Sequence, residues 1–131
     1  MSESVSKLSS LKEHLDHLLD VAIRETGSMG IVIARRDGLP IAYRLRGRED
    51  GRLAAAMAAT ILGTLSSIAL QLDRGDVNDV VANCSRGRIV AVQAGVEAVV
   101  IAWYGLDANL GMVLLQQRAA ADRIAKALEA T

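Results

Sequence analysis

The sequence predicts an α+β fold in which one five-stranded antiparallel sheet carries helices on both faces, in the order α-β-β-α-β-β-β-α. Three stretches repeat their apolar residues at helical spacing, while five short runs rich in Val, Ile and Ala are bounded by turn residues. The links between consecutive strands are short, at Asp37-Gly38-Leu39-Pro40, Ser85-Arg86-Gly87 and Gly95-Val96-Glu97, which suits hairpins and not crossovers. Ala98 to Tyr104 is apolar on both faces, so the sheet needs cover on both sides. At 131 residues the chain reads as one domain, 1–131, with residues 1–7 as a frayed end.

The first helix is expected from Ser6 to Glu25. Leu8, Leu11, Leu15, Leu18, Leu19, Ala22 and Ile23 form its apolar side, and Gly27 ends it. Met29 to Arg35 and Ile41 to Leu45 form a hairpin around Asp37-Gly38, with Pro40 restricting the second strand to an edge or to its first position. After a polar loop, Asp50 is positioned to cap the central helix. Three strands follow, Val77 to Cys84, Arg88 to Ala94 and Ala98 to Tyr104, as a meander whose exposed edge is the first of them. Asn109 caps the last helix, Leu110 to Glu129, which packs Val113, Leu114, Ile124 and Leu128 inward.

The central stretch from Leu53 to Leu72 contains no charged residue. Leu53, Met57, Ile61, Leu65, Ile68 and Leu72 form a ridge of large side chains, and Ala55, Ala59, Gly63 and Ser67 form a ridge of small ones about 200° away. Both faces call for cover. The large ridge is expected on the sheet and the small ridge against the helix of a second copy, whose close approach small residues permit. The candidate dimer contacts are Ala55, Ala59, Leu62, Gly63, Ser66 and Ser67 on the helix, with Val77 and Val81 on the next strand. An uncharged run of this length also meets the crude criterion for a membrane span, but its many Ala, Ser and Thr residues and its lack of aromatic anchors argue against one.

Hydrophobic residues make up 51% of the chain and aromatic ones 2%, with no Phe, so the core is aliphatic and rings for stacking bases are scarce. Fifteen basic and fifteen acidic residues give a formal net charge of zero, which lacks the footprint of a nucleic-acid binder. The lone Cys84 excludes an internal disulfide and reads as a buried small hydrophobe. The polar N-terminus has no apolar signal core, and a cytoplasmic protein is expected.

No catalytic constellation stands out. His14 and His17 are three residues apart without a third ligand, so neither a metal nor another cofactor is expected. Ser66 and Ser67 lack the nucleophile-elbow context, and the glycines form no phosphate-binding loop. Arg35, Arg36, Arg44, Arg46, Arg48 and Arg52 gather around the first hairpin, where a solvated edge is preferred to a phosphate-binding surface.

The segments RRDGLPIAY, LAAAMAATILGTLSSIA, the turn Asp73-Arg74-Gly75-Asp76 and DANLGMVLL follow one another in an order that resembles the Roadblock/dynein light chain family in its stand-alone bacterial or archaeal form. The resemblance runs from Leu11 to Leu128. Its motif positions are Asp37, Gly38, Leu39 and Pro40 in the strand-turn-strand signature and Asn109, Leu110 and Gly111 at the opening of the final helix. It implies a profilin-like sandwich that dimerises through the central helix and the strand after it. It also implies a protein that is not an enzyme and serves as a regulator or scaffold for a Ras-like small GTPase. The alternative is a small-molecule-sensing domain of similar architecture, which would need a pocket with convergent polar groups.

Overall fold

The computed structural model describes residues 2–130 and contains three helices and five strands. These are α1 (Ser2–Thr26), β1 (Gly30–Arg35), β2 (Pro40–Leu45), α2 (Gly51–Gln71), β3 (Asp79–Cys84), β4 (Gly87–Ala94), β5 (Ala98–Tyr104) and α3 (Leu110–Glu129). The strands form one antiparallel sheet in the order β2-β1-β5-β4-β3. β1 therefore pairs across the molecule with β5 and closes the two hairpin groups into a single sheet. The expected element order and architecture hold. Helix α1 starts at Ser2, so the stretch read as frayed is helical up to that residue.

Local chemistry accounts for the connections. Gly38 takes φ +96° in the first turn, where its N–H donates to the Arg35 carbonyl and Asp37 accepts from the Leu39 N–H. Pro40 is the first residue of edge strand β2, a position where its missing N–H does little harm. Asp50 accepts from the N–H groups of Arg52 and Leu53, and Asn109 from that of Met112, so both predicted caps are present.

Helices α1 and α3 share one face of the sheet. Leu15, Leu19, Ala22, Ile33, Val90, Val100, Ile124 and Gln117 are sealed between them and the strands. Gln117 falls on the stripe Val113, Gln117, Ala120, Ile124 and is fully buried. Its Nε2 donates to the carbonyls of Val90 (2.9 Å) and Val100 (3.1 Å), and its Oε1 accepts from the Tyr104 hydroxyl at 2.6 Å. This buried amide was not among the expected core residues; its helical phase was the available signal. Burial pushes the Tyr104 phenol up to about 12, against the opposing effect of a hydrogen bond with Thr26.

On the other face α2 lies alone over β1, β2 and β5 and shares a buried cluster with Ala91 of β4, leaving β3 and the rest of β4 without a helix.

Candidate interaction surface

Neither ridge of α2 lies as expected: of the small ridge Ala55 is buried, Ala59 is half-buried, and Gly63 and Ser67 are exposed. Ala55, Ala58 and Leu62 pack against Val32, Ala34, Ala91, Val99 and Ile101, and Ala55 and Leu62 are 0% and 6% exposed. These two expected dimer contacts are therefore core residues of the protomer. The large ridge faces outward instead, with Leu53, Met57, Ile61 and Ile68 at 57%, 56%, 47% and 47% exposure. The reason is steric. Branched side chains from the strands already fill the interlayer space, so a helix that presents Ala and a single Leu can settle close to the sheet.

The remaining expected contacts divide between surfaces. Ala59 and Gly63 flank a small cleft with Arg36 and Val99, on the side of α2 turned to the β1–β2 hairpin. A Cβ on Gly38 would stand 3.3 Å from the Ala56 backbone, so the glycine of the first motif lets its turn rest on α2. Ser66 is half-buried and Ser67 exposed, its hydroxyl bonded back to the Gly63 carbonyl at 3.1 Å. Val77 packs toward the α2 layer, whereas Val81 packs toward the α1/α3 layer, so these two residues serve opposite faces of the sheet. In the second motif Leu110 packs on the core and Gly111 is exposed beside the Asn109 cap. Leu39 is exposed.

The outward ridge borders an open cleft of about 600 Å³ over the uncovered strands. Met57 and Ile61 form one wall, Ile89 and Trp103 the floor, and Arg86 and Arg88 stand at one end. The Trp103 ring lies over Gly30, its cross-strand partner, where any Cβ would collide with it. Cys84 also lines this cleft and is exposed, which corrects its expected burial: it ends an edge strand that nothing covers.

The arginine cluster is not one patch. Arg44 reaches Asp16 at 3.4 Å and Asp20 at 3.1 Å on α1, Arg35 pairs with Asp37 at 2.8 Å, and Arg36 lies beside Ala59. Among the described residues no group of three or more His, Cys, Asp or Glu side chains comes together as a metal site. Helix α2 is long and apolar enough, by length and composition, to cross a membrane. Its seat on the sheet through Ala55, Ala58 and Leu62 accounts for the inner part of that composition.

Residues 15–102 match the Roadblock/LC7 domain family. An uncharacterized protein of Methanocaldococcus jannaschii, MJ0310, is 28% identical over 84% of this chain and 96% of its own length. Among solved structures, the gliding protein MglB from Thermus thermophilus superposes with a TM-score of 0.86 at 21% identity, covering 92% of this chain and 93% of that one. An MglB described as having a tetrameric arrangement gives 0.85 at 22% identity over 91% and 90%. Profilin II of Acanthamoeba castellanii gives 0.61 at 16% identity over 82% and 94%, so the sandwich is profilin-like.

Proposed function

The chain belongs to the Roadblock/LC7 domain family, and from that premise we propose that it is a non-enzymatic, homodimeric regulator or scaffold for a Ras-like small GTPase in the cytoplasm. The observation that carries the dimer is the wet apolar ridge of Leu53, Met57, Ile61 and Ile68 next to the open sheet edge at β3. Each such side chain, already about half covered, gains roughly 0.8–1.5 kcal/mol on completing its burial, and a twofold axis supplies the same ridge from a second copy. Pairing β3 with its counterpart satisfies the backbone groups that the edge leaves unpaired. Similarity to an MglB with a tetrameric arrangement supports self-association in proteins of this fold. The GTPase partner follows from the family, and no arginine of this chain is assigned as a finger, since activation need not involve a donated arginine.

Sedimentation at micromolar concentration gives a dimer for the wild type and a folded monomer for Met57→Asp/Ile61→Asp. A wild-type monomer overturns the assembly. Immobilised protein retains a small GTPase from lysate of the source organism in one nucleotide state, GDP or GTP, more than in the other; retention of no GTPase overturns the role.

The cleft over Trp103 favours a second reading, a small-molecule sensor. The single Trp distinguishes the two. Its emission shifts with protein concentration if a twin fills the cleft, and with added ligand at fixed concentration if a small molecule does.

A further inference from the structure

On the opposite side of the sheet, α1 and α3 flank a second open cleft of about 810 Å³. Leu11, Leu18 and Ala127 give it an apolar floor, and Lys7, His14, Arg123 and Lys126 stand around it. None of its lining residues is acidic. Asp16 and Asp20 pair with Arg44 of β2 and Glu25 meets Arg123 at 3.3 Å, while Glu3, Glu13, Asp122 and Glu129 do not line the cleft. Among the described residues Lys7 and Lys126 make no ion pair. Two ammonium groups outside the salt bridges of the described residues therefore flank the floor.

The apolar side of α1 also runs on past its buried part. Leu8 and Val5 continue the stripe of Leu15 and Leu11 toward the N-terminus and are 66% and 61% exposed. From Val5 to Leu18 the helix advances about 20 Å, the length of three to four helical turns.

We propose that this cleft is a docking groove for an acidic amphipathic helix of a partner protein. Its Leu-type residues lie along Val5, Leu8, Leu11 and Leu18, and its carboxylates meet Lys7 and Lys126. The groove reads the partner in two ways, as helix-in-groove docking does: the floor supplies burial and the rim selects acidic over basic flanks. It lies across the sheet from α2, so a monomeric variant keeps it.

The test is fluorescence anisotropy with a labelled synthetic amphipathic helix carrying Leu on one face and Glu on the other. A charge-reversed version with Lys in place of Glu is the control. The acidic probe binds saturably at low salt, and Lys7→Glu/Lys126→Glu weakens it at least about tenfold, as expected when facing charges are reversed. Ser10→Trp, at an exposed position lining the groove, blocks it without altering charge, and circular dichroism confirms that both variants fold. Met57→Asp/Ile61→Asp binds as well as the wild type. Equal binding of the Lys probe, indifference to both groove variants, or no saturation overturns the proposal. So does Lys7- and Lys126-dependent sedimentation with phosphatidylserine vesicles in place of peptide binding, which would make the groove a membrane contact.

Discussion

The two faces of the sheet are built from the same aliphatic residues and finished differently. Under α1 and α3, Leu19, Ile33, Val90, Val100 and Ile124 are closed off within one protomer, and the buried Gln117 is fully bonded. Under α2 the buried contacts come from small residues and one leucine, Gly51, Ala55, Ala58 and Leu62, and a row of large side chains stays in water. One face is closed within the protomer, and the other keeps large apolar side chains exposed.

Matching truncations on the two faces give the largest contrast. Ile124→Ala, at a fully buried site, lowers unfolding free energy by about 2–5 kcal/mol in urea titrations at any protein concentration. Ile61→Ala, the same change on the open face, costs the isolated protomer under about 0.5 kcal/mol and lowers stability only where dimer forms. A concentration-independent loss at Ile61 equal to that at Ile124 would break the comparison.

The closed face also has a pH signature. The Tyr104 phenol is pushed up to about 12 in the folded chain by burial. Because the folded state holds this proton more tightly, its contribution is fully present below the unfolded value near 10 and is lost as pH rises toward 12, about 2–3 kcal/mol in all. Tyr104→Phe removes that part of the alkaline decline, measured by thermal unfolding across the range.

Gln117→Leu keeps the volume but leaves the Tyr104 hydroxyl without its acceptor, costing about 1–3 kcal/mol in the same titration. The smallest effect is expected at Gly63, around which a Cβ meets nothing within 4 Å. Gly63→Leu raises helix propensity by up to about 1 kcal/mol and leaves sedimentation as a dimer unchanged. Dissociation by this variant would move the interface back to the small ridge and reverse the assignment of faces.

Elements set by neighbours in sequence were legible. Asp50 and Asn109 cap their helices because a short acceptor side chain reaches the next free N–H groups, and Gly38 accepts the left-handed turn that strands β1 and β2 require. The site was legible only in part. An uncharged helix announces that both faces need cover, but its composition does not say which face turns inward. The inversion at Ala55 and Leu62 comes from side chains of β1, β4 and β5 that are distant in sequence. Cys84 was misread for a related reason: an apolar strand at an edge resembles one in the middle until the sheet order is known.

The sequence by itself determined the element order, the hairpins, the caps, the family and the absence of charge from Leu53 to Leu72, because periodicity and turn chemistry act over a few residues. Only the tertiary structure decided the orientation of α2, the side of the sheet that Val77 and Val81 each serve, and the grouping of Lys7 with Lys126. Those depend on packing volume and on contacts between segments far apart in the chain, and no local pattern encodes them.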